Sequence, residues 1–119
     1  MRVFLAESEA VLARLYEDGL KRAGHVVTVV RDPVNAMAVA TGSHFDVMIC
    51  NLELNGEAVV RRLNDLGIRT PIVLMADDHR HLHQVGDPLL SAGMVQVLEV
   101  KPLSVATLVA TVTRILSHR

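Results

Sequence analysis

Short apolar runs alternate along this chain with longer stretches whose apolar residues recur at helical spacing. Val3-Phe4-Leu5-Ala6, Val26–Val30, Val47-Met48-Ile49-Cys50, the run after Thr70-Pro71 and Val97-Leu98-Glu99-Val100 have the length and side chains of strands. Val26–Val30, β-branched throughout, reads as a strand covered on both faces. Between the runs, about Glu9 to Ala23 carries Leu12, Leu15, Leu20 and Ala23 on one helical stripe, with Gly24 as a stop. Asp32 followed by Pro33 predicts a capped helix through about Ala40. A third helix spans about Glu57–Leu66 and ends at Gly67, and Ser104 caps a last helix that buries Val105, Leu108, Val109, Val112 and Leu116. Strand and helix repeated five times predict a parallel sheet with helices on both faces.

That topology gives the polar residues after the apolar runs a meaning. In an open α/β sheet the carboxyl ends of neighbouring strands form one crevice. The first run ends in Glu7, the third in Asn51 and the fifth in Lys101-Pro102, so an acid, an amide and a lysine are expected to share a pocket. A carboxylate at position 51 would complete a nucleophile site; an amide does not. A lysine in a partly buried crevice needs a counter-charge. The expectation is a Glu7–Lys101 ion pair with Asn51 hydrogen-bonded between them, against the alternative that Lys101 reaches solvent.

Composition narrows the classes. The 119 residues predict one domain, 1–119, with no repeat, linker or effector domain. Half of the residues are hydrophobic and mean hydropathy is +0.34, but aromatics are only 3%, so Val, Leu, Ile, Ala and Met must fill the core. A net charge of −1 argues against a nucleic-acid footprint. Nothing approaches the roughly 18 apolar residues of a membrane span, and Met1-Arg2 leads straight into a strand, so a cytoplasmic protein is expected. Cys50 stands alone inside an apolar run, which excludes disulfide and cysteine-rich metal scaffolds.

The arrangement closely resembles the receiver domain of two-component response regulators over essentially the whole chain. The family's acidic pair matches Glu7-Ser8, its phospho-accepting aspartate Asn51, its Thr/Ser Ala76 and its Lys-Pro pair Lys101-Pro102, with Ala23-Gly24, Phe45-Asp46 and Ala92-Gly93 supporting the register. The resemblance implies a flavodoxin-like, doubly wound (βα)5 three-layer sandwich with strand order 2-1-3-4-5. It also implies a signalling module in a phosphorelay, no catalysis, and a cis bond before Pro102. In the family, the acidic pair and the acceptor hold Mg²⁺ during phosphoryl transfer. Here Ser8 and Asn51 each replace a carboxylate, so Mg²⁺ binding should be weak or absent and no other cofactor is implied. Ala76 has no hydroxyl, and the aromatic switch position falls on Leu98. These departures together imply a pseudo-receiver that acts independently of phosphorylation, with a histidine kinase or an effector as partner. Two alternatives stay open: a flavodoxin-like small-ligand domain, although no G-x-G-x-x-G or Walker cradle is present, and a receiver phosphorylated elsewhere, at Ser8 or Glu53.

Two length changes stand out against that family. Leu54-Asn55-Gly56 enters the third helix about three residues early, and Asp77–Ser91 is longer and contains Gly86, Asp87 and Pro88. Gly and Pro break helices, so the fourth helix is expected to be short, displaced or disordered at its start. The same segment carries His79, His81 and His83, an H-x-H-x-H run that on an extended loop is either a solvated polar stretch or a Zn²⁺, Ni²⁺ or pH-sensing group. The expected interaction surface combines these histidines with Val97 and with Ala106 and Ala110. These two alanines start a small-residue stripe suited either to a homodimer through the fourth helix, fifth strand and fifth helix or to water.

Overall fold

The chain folds, in a computed structural model that describes residues 1–118, as five alternating strands and helices. The strands are β1 (Arg2–Ala6), β2 (Val26–Val30), β3 (Val47–Asn51), β4 (Ile72–Ala76) and β5 (Val97–Val100). The helices are α1 (Ala10–Arg22), α2 (Pro33–Gly42), α3 (Gly56–Asp65), α4 (His79–Ser91) and α5 (Val105–Ser117). All strand pairs are parallel, in the order β2-β1-β3-β4-β5. This is the flavodoxin-like order that the family resemblance implies.

The period-two alternation of the strands sorts their side chains into two cores. Val3, Leu5, Ile49, Val73 and Met75 face α1 and α5, meeting Tyr16, Leu20, Leu108 and Val112. Phe4, Met48, Cys50 and Leu74 face the other way, against Ala36 of α2, Val59 and Leu63 of α3, and Leu82 and Leu89 of α4. β3 and β4 are buried along their whole length. β2 is not covered on both faces as its composition suggests: it is an edge strand, and of its residues only Val30 is buried.

Helix ends follow their caps. The Asp32 carboxylate accepts from the Asn35 N–H at 2.9 Å, and the Ser104 hydroxyl accepts from the Thr107 N–H at 3.0 Å. On α1 the buried residues are Ala13, Tyr16 and Leu20, whereas Leu15 and Ala23 of the expected stripe are exposed. The register is turned because the Tyr16 hydroxyl donates to the Leu103 carbonyl at 2.8 Å and accepts from its N–H at 3.3 Å. That link ties α1 to the segment just after Lys101.

α4 differs most from expectation. It is continuous over 13 residues, with Pro88 inside it. Its start is fixed by the Asp78 carboxylate, which accepts from the N–H groups of Arg80 at 2.8 Å and His81 at 3.2 Å. Pro88 removes one donor, but it lies on the exposed side near the helix end. Gly86 serves packing: a Cβ there would stand 2.6 Å from Leu98 Cδ2. The residue that looks like a breaker is where β5 presses on the helix.

Candidate functional site

Glu7 follows β1, Asn51 ends β3, Asp77 follows β4 and Lys101 follows β5, all at the carboxyl edge of the sheet. After β1 and β5 the ladder runs one residue further: the Glu7 N–H donates to the Val30 carbonyl at 3.1 Å and the Lys101 N–H to the Ala76 carbonyl at 2.9 Å. The Lys101–Pro102 bond is cis. After Asn51 the chain makes a 3-10 turn over Leu52–Leu54, passes Asn55 at φ 57°, and enters α3 at Gly56. Asparagine tolerates that left-handed geometry. A Cβ on Gly56 would lie 2.6 Å from the Asn51 carbonyl oxygen, so the tight return over the crevice floor needs glycine.

Electrostatics dominate this edge. The Lys101 ammonium donates to both Glu7 carboxylate oxygens, at 3.0 and 3.1 Å, and both residues are buried. Glu7 Oε2 also accepts from the Glu9 N–H at 3.1 Å. A second carboxylate, Asp77, comes within 3.6 Å of the ammonium from a largely exposed side chain. Its own N–H donates to Glu53 Oε1 at 2.9 Å. Burial alone would pull the lysine's pKa down; the hydrogen bonds and charge of Glu7, with Glu53 and Asp77 behind, outweigh it and hold the ammonium above its ordinary value. Beneath Lys101, burial raises the Tyr16 hydroxyl's pKa, partly offset by its bond to Leu103, with the Glu7 charge adding to the rise.

The structure brings together Glu7, Asn51 and Lys101, as the strand ends predict, with Ala76, which the resemblance adds, beside them. One expectation is corrected: Asn51 does not bridge the ion pair. Its Nδ2 donates to the Ala6 carbonyl at the end of β1, and its Oδ1 is buried without a partner among the described residues. The ammonium needs no amide because two carboxylates surround it. Ser8 is exposed, and its carbonyl accepts from Arg31 Nη2 at 2.9 Å. Ala76 presents only a methyl group, and Leu98 lies half-buried over Gly86.

The histidines are also relocated. They sit on α4, not on an extended loop, and so point to different sides. Ala106 and Ala110 are exposed on α5, while Val97 is half-buried. Sequence reasoning missed Asp77 as a counter-ion and Tyr16 as the support beneath Lys101. The rule that located Glu7 and Lys101, the residue just past a strand, also locates Asp77.

The crevice therefore holds the buried Lys101–Glu7 ion pair beside the Asn51 amide, with the Asp77 carboxylate 3.6 Å from the ammonium. The Cys50 thiol, one residue before Asn51, is pushed up to about 12 by burial and is not a nucleophile at neutral pH. Among the described residues no helix is long and apolar enough to cross a membrane.

Comparison with known proteins agrees with the fold. A family model described as the response regulator receiver domain matches residues 3–113. No curated protein sequence matches the chain. The fold is similar to that of the chemotaxis response regulator CheY4 of Vibrio cholerae, with a TM-score of 0.81, 23% identity, and 96% of this chain and 97% of that one covered. It is also similar to the receiver domain of the Francisella response regulator 1452, with a TM-score of 0.82, 17% identity and coverages of 98% and 97%. A response regulator receiver protein from Sinorhizobium medicae gives a TM-score of 0.80, 24% identity and coverages of 98% and 94%.

Proposed function

The chain belongs to the response regulator receiver domain family of two-component systems, and from that premise we propose that it signals without phosphorylation of its third strand. It works as a protein-interaction module whose crevice is held by an internal ion pair. The observation that carries this reading is the Lys101 ammonium bonded to both oxygens of Glu7 inside the protein. The positive charge that would meet a phosphoryl group is already compensated.

Three further features support it. The amide of Asn51 has no carboxylate oxygen with which to form an acyl phosphate. Ala76 has no hydroxyl to follow a phosphoryl oxygen. The donors also do not fit Mg²⁺, which demands a near-octahedral oxygen shell that usually includes carboxylates. At the three positions that match the family's metal-holding acids, both Glu7 oxygens are engaged by Lys101 and one of them by the Glu9 N–H as well, Ser8 is uncharged, and Asn51 offers a neutral amide oxygen. A divalent ion there would stand beside an ammonium.

With that switch absent, the contact surface for a kinase or effector is the α4–β5–α5 face. It carries His79, His83, Val97, Ala106 and Ala110, while His81 of the expected set turns towards α3. Incubation with acetyl phosphate and Mg²⁺ followed by intact-mass measurement tests the reading. An unchanged mass is expected; a gained phosphoryl group, on Ser8, Glu53 or elsewhere, overturns it.

A further inference from the structure

α4 splits the histidine run between two faces. Residues four apart on a helix stack one above the other, while a residue two along points away. His79 and His83 accordingly meet, with ring centroids 4.5 Å apart at an angle of 55°. His81 instead lines a groove towards α3 with Leu52, Asn55, Glu57 and Val85. One turn beyond His83, Asp87 Oδ1 lies 2.8 Å from His83 Nδ1. A carboxylate oxygen in such a bond accepts, so Nδ1 carries the proton and the neutral ring keeps its lone pair on Nε2. A carboxylate holding the far nitrogen of an imidazole is the arrangement that orients metal-ligating histidines. Both rings are accessible: His79 is exposed and the His83 side chain keeps 43% of its surface. Neither takes part in the Lys101 crevice.

We propose that His79 and His83 chelate one borderline divalent transition cation, of the class of Cu²⁺, Ni²⁺ and Zn²⁺, with Asp87 as a positioning residue. Imidazole nitrogen suits these ions, with Cu²⁺ bound more tightly than Ni²⁺ or Zn²⁺. Among the described residues no group of three or more His, Cys, Asp or Glu is placed to hold a metal. The protein therefore supplies two donors, and water or a partner's side chain completes the shell. The pair exists only while 79–83 is helical, so the ion clamps the first turns of α4 and stabilises the folded chain.

The test uses the full chain free of any histidine tag, titrated with CuCl₂, NiCl₂ and ZnCl₂ by calorimetry and by thermal unfolding. One ion per chain is expected, Cu²⁺ tightest, with a raised melting temperature. His79→Ala and His83→Ala should each weaken binding by about tenfold or more, while His81→Ala, the same side chain on the other face, leaves it unchanged. Asp87→Asn should weaken it and shift the visible band of bound Cu²⁺, and Asp87→Glu should restore both. These side chains lie at the surface, and far-ultraviolet circular dichroism checks that each variant is folded. The proposal is overturned if the parent binds no ion, if His81→Ala weakens binding as much as the other two, or if the His79→Ala/His83→Ala double variant binds as the parent does. An unaltered Cu²⁺ band and affinity in Asp87→Asn removes Asp87 from the site.

Discussion

Replacing either member of the Lys101–Glu7 pair should be damaging, and unequally so. Lys101→Met leaves the Glu7 carboxylate fully buried with the Glu9 N–H as its remaining donor. Breaking a buried pair this way costs about 3–5 kcal/mol, because an uncompensated charge remains in a poor solvent. Glu7→Gln leaves the ammonium, but Asp77 already stands 3.6 Å away on a side chain 71% exposed, free to swing in. Its cost should fall at or below about 3 kcal/mol, the low end of that range. The double variant removes both charges and should be more stable than Lys101→Met alone, since buried pairs are often replaced by neutral groups with little loss. With a urea slope of about 2 kcal/mol/M, a loss of 4 kcal/mol moves the midpoint by roughly 2 M, readily measured by circular dichroism. The four proteins form a double-mutant cycle. The reasoning fails if Lys101→Met is as stable as the parent, if Glu7→Gln is the worse single change, or if the two losses simply add.

Two other predictions rest on separate parts of the fold. Gly56→Ala should destabilise by about 1–3 kcal/mol, since its methyl group meets the Asn51 carbonyl at 2.6 Å and backbone cannot turn aside. Gly86→Ala meets a Leu98 methyl at the same distance, and the leucine can rotate, so chemical denaturation should show a smaller loss. At the opposite edge of the sheet, burial and then the positive amino terminus push the His25 pKa below its ordinary value, with Asp46 opposing. Neither ring nitrogen has a hydrogen-bond partner among the described residues. The unfolded chain therefore takes up this proton first, so the His25 contribution is complete above pH 6.5 and is lost as pH falls through the depressed folded value. Thermal unfolding between neutral and mildly acid pH should be less pH-dependent in His25→Asn; an identical slope refutes the assignment.

Much of the architecture was legible because local signals agreed with one another. Asp32-Pro33 and Ser104 mark helix starts by the chemistry of their side chains, and the structure uses both as caps. Glu7 and Lys101 were readable as a pair because parallel strands deliver their ends to one edge. What escaped was decided by tertiary contact. α1 carries two overlapping apolar stripes, and the buried one is that in which Tyr16 and Leu20 pack against α5 and the Tyr16 hydroxyl reaches Leu103. Gly86 and Pro88 read as breakers, yet the cap at Asp78 and the close approach of Leu98 keep α4 whole. Asn51 offers two hydrogen-bonding directions, and the amide nitrogen turns to the carbonyl of Ala6 on the neighbouring strand. The histidine run has a different meaning once its period is helical, since a spacing of two separates residues that a spacing of four unites.

A Mg²⁺ titration followed by amide chemical shifts tests most directly whether the crevice satisfies its own charge. The account predicts that the amides of Glu7, Asn51, Asp77 and Lys101 stay still through the millimolar range. A saturable movement converging on Glu7 and Asn51 would show that the ion displaces Lys101 from its carboxylate, and the self-neutralised crevice would have to be abandoned.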